Sequence, residues 1–206
     1  MKVLLVNGSY HEKGCTYTAL CEVAKALETN GVETEIYWIG NQAIGGCRGC
    51  AACRKLGKCA FDEGGVNEFL AKVDEFDGFV FGTPVHYASA AGAMASFMDR
   101  VFYSSVKKFL YKPAAAVVSC RRGGASTTFD VMNKYFTISN MMVVGSNYWN
   151  EVHGNTPEEV MQDEEGLQTM RILGNNMAWL LKCIELGKKE GLAPIGERKI
   201  RTNFIR

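Results

Sequence analysis

The chain has 206 residues, 47% of them hydrophobic and 22% charged, with 23 Lys and Arg against 22 Asp and Glu. That composition fills the core of one domain and excludes a disordered chain, and a net charge of +1 lacks the basic excess expected of a nucleic-acid binder. No apolar run approaches the roughly 20 residues of a membrane helix, and the opening KVLLV is too short for the core of a secretory signal, so the sequence points to a cytoplasmic protein.

Residues 2–6 read as a buried strand entering the turn Asn7-Gly8-Ser9. The spacing of Ala19, Leu20, Val23, Ala24 and Leu27 predicts a helix over 16–27, stopped by Asn30-Gly31. Residues 32–39 alternate as a second strand. The Gly- and Cys-rich stretch 40–61 has no period; loops of that length in a compact domain are usually functional. A helix follows over 65–76, with Val66, Phe69, Leu70 and Val73 on one face, then a third strand over 79–82 that stops at Thr83-Pro84. Small residues fill 88–95 ahead of Phe97, Met98, Val101 and Phe102, which predicts a helix whose first turns pack closely. A fourth strand over 113–119, a helix over 127–139 and a fifth strand over 141–145 complete the alternation. The last helix is expected to start near Thr156-Pro157-Glu158-Glu159, break once around Gly174 and end near Gly187. Residues 1–190 form one domain, and 191–206 a basic tail without period.

Strands alternating with helices predict an α/β fold, a doubly wound parallel sheet covered on both faces. Its chemistry belongs beyond the carboxyl ends of the strands, in the loops 8–16, 83–90 and 119–126. In the first loop, Ser9, Lys13, Gly14 and Thr16 surround a helix N-terminus, an arrangement that suits a terminal phosphate. It is neither a Walker A loop nor G-x-G-x-x-G; a plain helix cap is the alternative. In the second, Pro84 fixes the backbone direction and Tyr87 offers a face or edge to a planar ligand. Backbone N–H groups after Pro84, left without strand partners, could reach a heterocycle, unless the segment is an ordinary strand-to-helix turn. His86 could donate a hydrogen bond there or be solvated. In the third, Ser119 to Gly124 is rich in donors, and Arg121 or Arg122 could meet an electron-rich ring or a nicotinamide phosphate, or face solvent.

Four of the eight cysteines, Cys47, Cys50, Cys53 and Cys59, fall within thirteen residues. In a reducing compartment such a group indicates metal or redox chemistry before disulfides. Four thiolates so closely spaced suit a [4Fe–4S] cluster. Zinc is the alternative, although structural zinc usually takes two separated pairs, and a loop that holds no metal is a third.

The segments VNGSYHEKGCTYTAL, GTPVHYASAAGAMASFMDR and SCRRGG resemble the NAD(P)H-dependent FMN reductases of the flavodoxin-like superfamily, and the cysteine loop resembles that of iron–sulfur flavoproteins within it. The resemblance implies a flavodoxin-like five-stranded sheet in the order 2-1-3-4-5 and bound FMN. By position, Ser9, Cys15 and Thr16 would hold the phosphate. His11 and Cys15 stand where many relatives have Arg and Asn, which leaves the phosphate charge to backbone N–H groups, Lys13 and His11. Thr83, Pro84, Val85, His86 and Tyr87, with Ser119, Cys120, Arg121, Gly123 and Gly124, would line the ring, and Cys47, Cys50, Cys53 and Cys59 would hold the cluster. Electrons would pass from NAD(P)H or the cluster through FMN to a small-molecule acceptor such as a quinone, or to a redox protein, with no protein nucleophile. The aromatic segment 148–157 would lie near the flavin or at the contacts of a homodimer or homotetramer. Two other classes stay open: a flavin electron-transfer module without its own substrate, and a zinc-stabilised binding protein.

Overall fold

The computed structural model describes residues 1–204. In chain order its elements are β1 (Lys2–Asn7), α1 (Cys15–Thr29), β2 (Glu33–Trp38), α2 (Cys53–Leu56), α3 (Val66–Lys72), β3 (Gly78–His86), β4 (Ser89–Ala90), α4 (Gly92–Ser105), β5 (Pro113–Cys120), α5 (Ala125–Ile138), β6 (Met142–Val143), β7 (Glu151–His153), α6 (Pro157–Val160) and α7 (Glu164–Lys189). β1 is apolar on both faces and lies inside the sheet, with parallel β2 on one side, parallel β3 on the other, and β5 beyond β3. The order β2-β1-β3-β5-β6 is the expected doubly wound order, with seven strand segments in place of five.

Side chains alternate between two cores. Leu4, Val6, Phe79, Phe81, Ala114 and Ala116 face α3, α4 and α5, while Val3, Leu5, Val80, Ala115 and Val117 face α1 and α7. The first core is aromatic: Phe69, Phe79, Phe81, Phe97, Phe102, Phe109 and Phe136 pack ring against ring, and the alanines of β5 make room for them. Each buried Phe contributes roughly 1.5–3 kcal/mol of transfer free energy. No helix among the described residues is long and apolar enough to cross a membrane.

The sequence expectations needed four corrections. The fifth strand is split. β6 and β7 both run parallel to β5, one at each end of it, and the chain leaves the sheet between them. Buried Asn150 closes the gap by donating from Nδ2 to the Ala116 carbonyl at 3.0 Å, while its own carbonyl accepts from Val118 N at 2.9 Å. The third strand continues through Pro84 to His86 and folds back on β4. Proline is tolerated because β1 pairs only as far as Gly82, so no ladder bond to β1 is lost at Pro84. Part of the backbone expected to be free there is therefore paired, Val85 with Ala90 and His86 with Ser89.

Cys53–Leu56 forms one helical turn inside the expected loop. Finally, the capped start at Thr156-Pro157 makes only the short α6, and the long helix begins at Glu164 under its own cap, Asp163, which accepts from Gly166 N at 2.9 Å. That helix runs unbroken through Gly174. A Cβ on Gly174 would lie 2.7 Å from the Val23 carbonyl oxygen and 2.7 Å from Ala26 Cβ, so the glycine marks where α7 presses on α1. The tail has no helix or strand over 192–204, and its last two residues, Ile205 and Arg206, lie outside the described residues.

Alanine is the better helix former by roughly 1 kcal/mol, yet Gly174→Ala should destabilise the fold by about 1–3 kcal/mol because the neighbouring contact is backbone and cannot rotate away. Urea unfolding checks the sign: a variant as stable as the parent would mean that the two helices do not touch at this point.

Candidate functional site

The three loops meet at the carboxyl edge of the sheet. α1 starts here with no side-chain cap and no acidic residue in its first turn. Among the described residues, the amides of Cys15, Thr16 and Tyr17 have no acceptor, the first helical bond running from Thr18 N to Gly14 O. Free amides and the positive end of a helix dipole together attract an anion.

The loop before them is held so that its own carbonyls do not fill that place. Buried Asn7 donates from Nδ2 to the Glu12 carbonyl at 2.8 Å and accepts from Ser9 N at 3.1 Å. Trp38 Nε1 donates to the Ser9 carbonyl at 2.8 Å. Ser9 is buried and its Oγ accepts from His11 N at 3.1 Å, leaving its hydroxyl proton available. His11 and Lys13 are exposed on the rim. The structural roles of Asn7 and Trp38 were not read from the sequence; Asn7 could have been found as the polar end of an otherwise apolar strand.

Of the expected phosphate ligands, Thr16 and Cys15 carry other contacts. The Thr16 hydroxyl bonds Ser119 Oγ at 2.8 Å, a buried pair that ties the first loop to the third. Cys15 Sγ lies 3.7 Å from the Gly154 carbonyl, and burial pushes its thiol above the usual range, so it is the neutral thiol that flanks the amides at neutral pH.

The second loop is joined to the first by the Tyr10 and His86 rings, edge to face at 5.3 Å. Thr83 is buried; its Oγ1 accepts from Ala91 N at 3.1 Å and fixes the return of the hairpin. Pro84 and Val85 are half-buried, whereas His86 and Tyr87 stand at the exposed hairpin tip. Tyr87 is 103% exposed at φ 64°, a left-handed conformation that a bulky residue seldom adopts. In the third loop Cys120 is buried, and burial raises its thiol pKa. Arg121 to Gly124 are exposed, and neither arginine side chain has a hydrogen bond or ion pair among the described residues.

Farther along α4, Cys47, Cys50, Cys53 and Cys59 line one hollow, together with Arg100. As placed, no three of the His, Cys, Asp or Glu side chains among the described residues are gathered closely enough to hold a metal ion. The four thiols are free of disulfides and are nonetheless a donor set that could ligate iron or zinc. Arg100 was noticed in the sequence only as part of a motif, yet its side chain is 2% exposed.

Beside β7 lies a cleft of about 280 Å³, lined by Tyr148, Trp149, Glu151, His153, Asp163 and Thr169 among others, so the aromatic segment borders β7 and the first turns of α7.

Residues 1–156 match the family model described as NADPH-dependent FMN reductase. An iron–sulfur flavoprotein of Methanocaldococcus jannaschii is 32% identical over 193 residues, covering 90% of this chain and 100% of that protein. One of Methanosarcina thermophila is 28% identical over 193 residues, covering 90% and 97%. Among solved structures, RosB with a bound 8-demethyl-8-formylriboflavin-5′-phosphate intermediate superposes with a TM-score of 0.70 at 15% identity, over 100% of this chain and 93% of RosB. A flavodoxin from the domain Archaea gives 0.60 at 16% identity, over 88% and 99%. At these identities the structures attest the shared fold.

In the cleft, Glu151 Oε2 is buried without a hydrogen bond, and burial raises its carboxyl above the ordinary 4.5; His153 opposes the shift and Asp163 adds to it. A raised carboxyl contributes stability below its unfolded value and loses that contribution as the pH climbs through the folded one. Glu151→Gln should therefore gain stability relative to the parent as the pH rises from about 4 across the carboxylate range. A constant difference in urea midpoint across that range would contradict the burial of this carboxyl.

Proposed function

The chain belongs to the NADPH-dependent FMN reductase family, with iron–sulfur flavoproteins among its relatives, and on that footing we propose that it is an FMN-binding oxidoreductase whose cysteine loop holds a [4Fe–4S] cluster. One observation carries the FMN part: the acceptor-free amides of α1 at the carboxyl edge, with no acid in the first turn. They fit a phosphate dianion, and the donor set around the hollow fits iron and sulfide.

In this reading the amides of Cys15, Thr16 and Tyr17 and the Ser9 hydroxyl bind the phosphate, with Lys13 and His11 adding positive charge at the rim. The Thr16–Ser119 pair acts as a spacer that sets the distance from the phosphate loop to the third loop. Thr83 to Tyr87 and Ser119 to Gly124 flank the ring, and Tyr87, exposed at the hairpin tip, is placed to cover it. Arg121 and Arg122, without partners among the described residues, suit the phosphates of a nicotinamide nucleotide. Bound FMN supplies the hydride and single-electron chemistry. The chain binds, orients and shields it, and needs no nucleophile. The electron donor is NADH, NADPH or the cluster, and the acceptor is a quinone, another small molecule or a redox protein. The reading also takes the protein to be cytoplasmic and to form a homodimer or homotetramer, which would cover exposed Tyr148, Trp149 and Trp179.

Anaerobic purification followed by flavin, iron and sulfide assays tests the reading directly. Yellow-brown protein with FMN and about four irons per chain is expected; colourless protein that takes up no added FMN would refute it. Rapid mixing with NADH or NADPH should bleach the flavin. A flavin that stays oxidised would leave an electron-transfer module, and zinc in place of iron would leave a zinc-stabilised fold.

Gly14→Asp separates binding from capping. An N-cap aspartate accepts from the amides assigned to the phosphate, and it changes helix stability by only a few tenths of a kcal/mol relative to glycine. FMN affinity should fall by about tenfold or more, roughly 1.4 kcal/mol, with the melting temperature held. Undiminished affinity would remove the phosphate from this helix end.

A further inference from the structure

Arg100 lies on α4, eight residues after Gly92 and so roughly 12 Å along the helix from the hairpin that ends the second loop. Its guanidinium has no access to water and spends its donors on the cysteine loop alone. Nη1 donates to the Gly45 carbonyl at 3.3 Å and the Glu63 carbonyl at 2.8 Å, and Nη2 donates to the Phe61 carbonyl. Nε, the remaining corner of the fork, points at Cys59 Sγ at 3.4 Å. The Glu63 carboxylate lies 3.9 Å from Nη1 and balances the charge.

One side chain therefore fastens both ends of the segment 45–63, one end before the first cysteine and the other after the last. The backbone of Cys59 is bracketed separately by Asn67 of α3, which accepts from Cys59 N at 3.1 Å and donates to its carbonyl at 3.0 Å. With its backbone held by Asn67, Cys59 turns its sulfur toward Arg100, whose Nε–H sits against it at 3.4 Å. Cys47 and Cys50, by contrast, are exposed on the free part of the loop.

We infer that Arg100 is the positioning residue of the cysteine centre: it latches the loop 45–63 in the absence of metal and donates a hydrogen bond to the Cys59 sulfur that raises the reduction potential of the bound cluster. The first half follows from the carbonyls at both ends of the loop, which no other side chain among the described residues bonds. The second half follows from the general effect of an N–H donor on a ligating sulfur: it stabilises the extra negative charge of the reduced cluster more than the charge of the oxidised one. The inference rests on the cluster reading above for the potential, but not for the latch.

Two variants test it. Arg100→Met removes every donor. Arg100→Lys keeps the charge and fills the space, but a single ammonium cannot span three carbonyls and a sulfur, and it serves if the methionine variant does not accumulate. Hydrogen exchange on metal-free protein should show the hydrogen-bonded amides of the loop, those of Arg54 to Gly57 and Cys59, exchanging about tenfold faster in either variant, with β1 and β3 unchanged. Exchange equal to the parent's would overturn the latch. In anaerobically loaded protein, the cluster of Arg100→Lys should titrate at lower potential, by about 59 mV for a tenfold change in a one-electron couple. A potential equal to the parent's, at equal iron and FMN content, would overturn the sulfur-directed role. Parent protein that carries no iron and sulfide would refute the cluster reading itself, and the exchange comparison would still decide the latch.

Discussion

The amides that open α1 are the constraint around which the carboxyl edge is organised. A helix start normally finds a cap in its own side chains or in the preceding loop. Here the N-cap is glycine, the first turn holds no acid, and the nearby carbonyls of Ser9 and Glu12 are already bound by Trp38 and Asn7. The sheet order explains the location: the connections from β1 and β3 leave for opposite faces, and a crevice opens where they part. Gly82 belongs to the same arrangement, since a Cβ there would lie 2.9 Å from Thr16 Cγ2 and push the helix end away from the sheet.

A second constraint is the charge of Arg100. Removing a guanidinium from water costs several kcal/mol, and carbonyl hydrogen bonds to a charged donor return roughly 1.5–3 kcal/mol each. The balance is favourable only while the loop stays folded around it. The two regions are linked through α4, which lays Met94 against Gly8 of the first loop, starts at the hairpin of the second and carries Arg100 two turns later. A shift of that helix would move both centres together.

Much of this was legible in the sequence because the parallel strands are buried on both faces and read as short apolar runs, while α1, α3 and α5 keep a helical period. The loop 8–16 was legible as the place where an apolar strand hands over to a periodic helix, with Gly14 at the cap position; its phosphate is the proposal. What escaped depends on tertiary contact. Gly174 reads as a helix break, and only the approach of Val23 and Ala26 shows why it is glycine. The β3–β4 hairpin was hidden by alanines that favour helix, and its proline is acceptable only because β1 has already ended. The split of the fifth strand turns on the reach of one asparagine to the Ala116 carbonyl, which no period reports. The role of Arg100 went unread because nothing local predicts that a loop forty residues earlier in the chain folds over it.

The divided fifth strand also bears on how the molecule behaves when crowded. Its two pieces, Met142–Val143 and Glu151–His153, present too few consecutive backbone groups on that border for a foreign strand to zip onto. The opposite border, β2, is longer, but it carries Glu33 and Glu35, the latter paired with Lys2 and Lys72, and charge there discourages stacking between molecules. Both margins of the sheet are thus guarded against aggregation, one by brevity and the other by charge.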